Sequence, residues 1–134
     1  KRWKLNNFLE VAKFLKTKRF DPIFILGPNE KEMRLSIQKT AGNFKIFESN
    51  DPLKTITFSR NCSFGLSNDT GCGHLISASG IPTLTIFGPT DAKKFLPIGN
   101  EKNAALSSQL NYKDKNINKI TPVEVIEKIS KWLT

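Results

Sequence analysis

Four short runs, PIFILG at 22–27, FKIFE at 44–48, CSFGLS at 62–67 and TLTIFG at 83–88, alternate along this chain with segments of helical periodicity. That alternation constrains the fold more than any single residue does. PIFILG is continuously apolar and ends in glycine, which suits a strand buried on both faces of a parallel sheet, and helices between strands supply the crossovers that parallel pairing needs. Ahead of it, Leu5, Phe8, Leu9, Ala12 and Leu15 recur at helical spacing and predict an amphipathic helix over about Asn6–Lys18. Further helices are predicted over about Glu30–Thr40, over DPLKTITFSR with Asp51 as N-cap and Pro52 in the first position, and over GHLISAS. ITPVEVIEKISKWL predicts the last one. There Thr121 caps, Pro122 follows, and Glu124 completes a capping box ahead of a stripe formed by Val125, Ile126, Ile129, Trp132 and Leu133. Strands and helices in this order define an α/β class with a doubly wound parallel sheet.

With 134 residues, 38% hydrophobic and 25% charged, residues 1–134 are expected to form a single domain with its own core. No apolar run approaches the roughly 20 residues of a membrane span. KRWKLNNF has neither the apolar core nor the cleavage site of a signal peptide, so a cytoplasmic setting is expected. Two cysteines, Cys62 and Cys72, are too few for a disulfide framework, and with His74 they fail as a zinc set on ligand count and spacing. No metal or cofactor is expected. The net charge of +9 attracts phosphates, anionic lipid headgroups or nucleic acid. Its lysines are spread over Lys1–Lys18, Lys93, Lys94 and Lys113–Lys131 without a block of like charge, as solvated helix faces also would be. No zinc-finger spacing, RNP-type strand or basic zipper is present, so nucleic acid is not an expected partner.

SNDTGCGHL, Ser67–Leu75, places an acid, a hydroxyl, two glycines, a thiol and the only histidine at a strand-to-helix turn. In open parallel sheets ligands bind beyond the carboxyl ends of the strands, where helix N-termini present unpaired N–H groups. Gly71 and Gly73 would let backbone approach an anion, the helix end contributes about half a positive charge, and Thr70 adds a hydroxyl donor. A pyrophosphate would be held well there. Asp69 or Thr70 acting simply as an N-cap, with the glycines making the turn, accounts for the same residues.

NDTGCGHLISASGIPTLTIFGPTD, Asn68–Asp91, resembles the signature of the glycosyltransferase family 9 heptosyltransferases: D-T-G, a variable pair, H, a small-residue helix, G-x-P, an apolar strand and F-G-x-T. KRWKLNNFLEVAKFL resembles the family's K-x-W-P segment and the helix after it. LGPNEKEM resembles its ribose-contacting turn, and LPIGN, Leu96–Asn100, resembles its P-x-G stretch, so the likeness runs through nearly the whole chain. It implies the C-terminal, donor-binding half of a GT-B glycosyltransferase with a Rossmann-like sheet. Such an enzyme transfers heptose from ADP-heptose to the lipopolysaccharide inner core with inversion.

By resemblance, Asp69 meets the sugar hydroxyls, Thr70 and Gly71 bind the diphosphate with Cys72 and Gly73 in the same turn, and His74 lies close by. Glu30 accepts the ribose hydroxyls, with Asn29 as competitor. Lys1 neutralises the leaving phosphate, with Arg2 as the register-shifted candidate. Trp3-Lys4 replaces the family's tryptophan-proline pair, and Cys72 occupies a variable slot. The family places the first strand of this domain, a glycine-containing phosphate loop and an acceptor-binding domain carrying the catalytic base ahead of the segment matched here. No residue of this chain is therefore expected to be that base. Without the first strand, its neighbours in a 3-2-1-4-5-6 sheet must pair directly or leave unpaired backbone groups in the core. The expected partners are a nucleotide-sugar donor and, through the acceptor domain, the lipopolysaccharide core, with peripheral contact at the inner face of the membrane. On these grounds the fragment alone is expected to bind but not transfer. A stand-alone nucleotide- or phosphate-binding module is the alternative.

Overall fold

The computed structural model of the chain describes residues 2–40, 42–90, 92 and 103–133. Helix and strand alternate through its first two thirds: α1 (Leu5–Thr17), β1 (Ile23–Leu26), α2 (Lys31–Gln38), β2 (Lys45–Glu48), α3 (Pro52–Ser59), β3 (Gly65–Asn68), α4 (Gly71–Ala78) and β4 (Thr83–Phe87). Then follow β5 (Ala104–Ser107), a short α5 (Ser108–Tyr112), a 3-10 turn at Ile117–Lys119, and α6 (Pro122–Ile129), which tightens into a second 3-10 turn at Ser130–Trp132.

Local chemistry sets several of these boundaries. The Asp51 carboxylate accepts the Leu53 N–H at 3.0 Å and starts α3 with Pro52 in its first turn. At α6, Thr121 Oγ1 accepts the Glu124 N–H at 3.2 Å, while Glu124 Oε1 accepts the Thr121 N–H at 3.1 Å, closing the capping box. The third strand starts later than the run CSFGLS suggests. The N–H groups of Asn61 and Cys62 are spent on Phe58 and Ser59 at the end of α3, so neither can join a ladder, and pairing begins only at Gly65. β5 and α5 have no counterpart in the sequence reading. Ala104-Ala105 carries little strand preference of its own and is held as a strand by its register with Leu84 and Thr85 of β4.

All described pairings are parallel, but they fall into two sheets, β1-β2 and β3-β4-β5. β1 and β3 do not pair with each other. Between them lies a cavity of about 700 Å³ lined by both strands. This corrects the expectation for PIFILG: Ile23, Phe24 and Ile25 are only half-buried, because one edge of β1 borders that cavity. β4, central in its sheet, is buried at all five residues.

Two apolar clusters flank the cavity. Trp3, Val11, Leu84, Ile86, Ile120, Val125 and Ile129 join α1 and α6 to the three-stranded sheet, while Leu9, Ala12, Leu26, Ile37 and Phe44 join α1 and α2 to the two-stranded one. Helix α1 therefore spans both sheets with adjacent stripes of one apolar surface, and α3 and α4 pack together elsewhere on the sheets. Trp3 anchors the start of α1. It is 2% exposed, donates Nε1–H to the Ile120 carbonyl at 2.8 Å, and meets Phe8 edge-to-face at 4.9 Å. Among the described residues no helix is long and apolar enough to cross a membrane.

Candidate functional site

The turn between β3 and α4 opens at the carboxyl end of β3. Thr70 is the N-cap of α4 in an extended conformation, and its Oγ1 accepts the Gly73 N–H at 3.3 Å. The two glycines do different work. A Cβ on Gly73 would lie 2.4 Å from Ser67 Oγ and 2.7 Å from the Asn68 carbonyl, so Gly73 is required for α4 to sit against β3. A Cβ on Gly71 would meet nothing within 4 Å. Packing makes no demand for glycine there, and the space beside Gly71 at the start of α4 is open.

Opposite, at the carboxyl end of β1, Gly27-Pro28-Asn29-Glu30 turns into α2. Asn29 takes the left-handed conformation, φ 68°, that asparagine tolerates better than most residues, and so serves the turn. Glu30 Oε1 accepts the Gly27 N–H at 3.1 Å, and its Oε2 lies 3.7 Å from Arg2 Nη1. Arg2 thus reaches over from the start of α1, where the Trp3 N–H donates to Asn68 Oδ1 at 3.0 Å. The ends of β1 and β3 and the entry to α1 consequently share one mouth of the cavity, lined by Arg2, Gly27, Glu30, Thr70, Gly71 and Cys72.

Cys72 faces the cavity from α4. Burial pushes its thiol above the ordinary thiol value and the Glu30 carboxylate adds to the effect, which puts the two sides of the mouth within electrostatic reach of each other. Its Sγ lies 3.9 Å from the Ile25 carbonyl of β1. Asp69 and His74 stand apart from this lining: His74 Nε2 is 3.4 Å from Asp69 Oδ1, with the imidazole about half exposed.

Of the residues singled out in the sequence, the structure gathers Glu30, Thr70, Gly71, Cys72 and Gly73 around one opening, with Asp69 and His74 as a pair beside it. Lys1, Lys93, Lys94 and the Leu96–Asn100 stretch lie outside the described residues. Sequence reasoning missed the ion pair between Arg2 and Glu30 and the bond from the Trp3 N–H to Asn68. Both join residues far apart in the chain, and no local pattern encodes them. The Gly27–Glu30 contact, three residues apart, was within reach of a local reading. Among the described residues no group of three histidines, cysteines or carboxylates is placed to hold a metal ion.

The arrangement is that of an anion-accepting turn facing a carboxylate across a cleft: positive helix end on one side, hydrogen-bond acceptor on the other. The fold that carries this arrangement recurs in solved structures. A glycosyl transferase family 9 protein from Veillonella parvula matches with a TM-score of 0.81 at 19% identity, over 99% of this chain and 42% of that one. E. coli ADP-heptose LPS heptosyltransferase II matches with a TM-score of 0.81 at 19% identity and the same coverage. E. coli heptosyltransferase WaaC with ADP matches with a TM-score of 0.82 at 19% identity, over 97% and 39%. The chain thus spans about two fifths of the length of each. No curated protein matches it in sequence. The model of glycosyltransferase family 9 (heptosyltransferase) matches residues 1–123, and the chain belongs to that family.

Proposed function

We propose that residues 1–134 form the donor-binding domain of an inverting glycosyltransferase that moves heptose from ADP-heptose to the lipopolysaccharide inner core, and that the chain alone transfers nothing. The observation that carries this reading is the shared mouth: the open N-terminus of α4 at Thr70–Gly73 faces Glu30 across the cleft, with an unobstructed approach at Gly71. A diphosphate at the Thr70–Gly71 start of α4, with the ribose toward Glu30, uses both sides at once.

In this reading the departing nucleotide diphosphate gathers negative charge as the glycosidic bond breaks. The α4 N-terminus stabilises that charge without reorganising, and the cations at the start of the chain turn to meet it. Arg2, exposed and paired with Glu30 at 3.7 Å, can turn toward the phosphates, and Lys1 is the further cation assigned by family resemblance. Asp69, oriented by His74, is assigned to the sugar hydroxyls. Deprotonation of the acceptor hydroxyl belongs to a carboxylate in an acceptor-binding domain of the longer protein, because both carboxylates near this mouth are engaged in binding roles. The net charge of +9 suits an enzyme working on an anionic acceptor at the inner face of the cytoplasmic membrane.

Calorimetric titration of the chain with ADP and with pyrophosphate, beside a Gly71→Ala variant, tests the proposal. ADP is expected to bind more tightly than pyrophosphate. Gly71→Ala is expected to weaken both by about tenfold, or about 1.4 kcal/mol, through obstruction alone. Equal affinity for the two ligands would favour a general phosphate-binding module, and no binding to a folded sample would sink both readings.

A further inference from the structure

Helix α1 begins without a cap of its own. Its N-cap, Lys4, makes no side-chain cap bond, and the two backbone N–H groups ahead of the helix are satisfied from distant parts of the fold. The Trp3 N–H donates to Asn68 Oδ1 and the Lys4 N–H to Asn118 Oδ1, both at 3.0 Å, across 65 and 114 residues. A helix start is ordinarily capped by a side chain two or three residues away. Distant acceptors do something a local cap cannot: they fix where the incoming segment lies against the rest of the molecule.

The two asparagines are not equivalent. Asn118 belongs to the 3-10 turn at Ile117–Lys119, which does not line the cavity. Asn68 is the last residue of β3 and directly precedes Asp69, Thr70 and Gly71. Its backbone is fixed twice, by register with Ile86 of β4 and by a carbonyl that lies 2.7 Å from where a Cβ on Gly73 would stand. The Asn68 side chain is thus a post between the anion-accepting turn and the residue that follows Arg2. Trp3 is pinned a second time through its indole, which donates to the Ile120 carbonyl at 2.8 Å. Arg2 therefore has a fixed root, while 59% of its side chain is exposed and its guanidinium pairs with Glu30 at 3.7 Å.

We propose that Asn68 is a positioning residue for the transfer reaction: it holds the backbone at Trp3 so that the Arg2 guanidinium comes within reach of the leaving diphosphate. The inference rests on the donor-binding reading and adds to it a residue that touches neither substrate. With its root held, Arg2 passes from Glu30 to the phosphates by a change of side-chain rotamer alone. Ordering a loose backbone at the same moment would subtract conformational entropy from the stabilisation that the charge provides. An amide suits this post better than a carboxylate, because it accepts the same N–H without setting a negative charge beside an anion.

The test is a double-mutant cycle between Asn68 and Arg2, read on two ligands. The chain, Asn68→Ala, Arg2→Gln and the double variant are titrated calorimetrically with ADP and with adenosine, which lacks the phosphates, and amide exchange of Trp3 is read without ligand. Asn68→Ala is expected to speed Trp3 exchange, to weaken ADP about tenfold and to leave adenosine within about twofold. Arg2→Gln is expected to weaken ADP about tenfold with Asn68 present and less than about twofold without it, since Asn68 acts through Arg2. Asn68→Asp keeps the acceptor, so Arg2→Gln retains its effect there although the added charge weakens ADP overall. Asn118→Ala breaks the companion bond away from the mouth and leaves the ratio of ADP to adenosine affinity unchanged.

ADP and adenosine weakened together by Asn68→Ala, an Arg2→Gln effect that is the same with and without Asn68, an Asn118→Ala variant that shifts the ratio as much, or Trp3 exchange indifferent to Asn68 overturns the proposal in favour of a plainly structural bond. Should Asn68→Ala fail to fold, Asn68→Gln, which moves the acceptor by one methylene, takes its place under the same outcomes. A folded wild-type chain that binds no ADP sinks the donor-binding reading and this inference with it. The other failures leave that reading standing, so the two are separate results.

Discussion

Gly73→Ala and Gly71→Ala place the same methyl group two residues apart on the same helix start, in opposite surroundings. At Gly73 the new Cβ would lie 2.4 Å from Ser67 Oγ, 2.7 Å from the Asn68 carbonyl and 2.9 Å from Ser67 Cβ. Ser67 can turn aside, since its hydroxyl has no hydrogen-bond partner to lose. The Asn68 carbonyl cannot, because it belongs to β3 in register with Ile86. Reaching an ordinary contact of roughly 3.5 Å requires the start of α4 to withdraw by about 0.8 Å, and overpacking of this kind costs about 1–3 kcal/mol. At Gly71 no atom lies within 4 Å of the added carbon.

Both variants gain helix propensity, so their difference isolates the collision: Gly73→Ala should be less stable than Gly71→Ala by about 1–3 kcal/mol, or roughly 3–15 °C in melting temperature. Urea denaturation followed by the fluorescence of Trp3 and Trp132 measures it, with an unchanged m-value showing that the denatured state is not the cause. Equal stabilities within about 0.5 kcal/mol would refute the reasoning, since the spacing of α4 from β3 would then not be set by a glycine.

Three other substitutions or titrations bear on separate parts of the fold. Thr121→Ala removes the side-chain half of the capping box at α6 and should cost about 1 kcal/mol in the same urea assay, with Thr121→Ser retaining most of it. Trp3→Phe keeps an aromatic ring beside Phe8 but strands the buried Ile120 carbonyl, so a loss of about 1–3 kcal/mol is expected in thermal unfolding. Alkylation of Cys72 should reach half its maximal rate at a higher pH than that of a free thiol, because burial and Glu30 both disfavour the thiolate. The folded state then holds this proton more tightly than the unfolded chain, so the thiol's contribution to stability is full below the ordinary thiol value. It is lost as pH rises through the higher folded value. Reaction at the ordinary thiol pH would contradict the placement of Cys72 at the cavity.

The elements legible in the sequence were those whose signals are local. Asp51-Pro52 and Thr121-Pro122 with Glu124 announce helix starts through bonds spanning two or three residues, and these are the bonds observed. TLTIFG reads as a strand and is one, and β4 is buried throughout because it is central in its sheet. PIFILG has the same apolar character, yet one edge of β1 borders the cavity and leaves Ile23, Phe24 and Ile25 half-buried. Gly73 was noticed for its place in a turn, whereas its necessity comes from Ser67 and Asn68, a distance no periodicity measures. β5 was invisible for a related reason: Ala104–Ser107 becomes a strand through β4 alone.

The hydrogen bond from Trp3 to the Ile120 carbonyl joins residues 117 apart, nearly the two ends of the described chain. On a ribosome Trp3 is made 117 residues before Ile120, so its indole N–H cannot meet that carbonyl until the Ile120 segment has emerged. Completion of this cluster is thus timed from Ile120. Until then the apolar surface of α1 that belongs to the three-stranded sheet stays exposed, and a nascent chain stalled before Ile120 would be a client for chaperones and not a partly working protein.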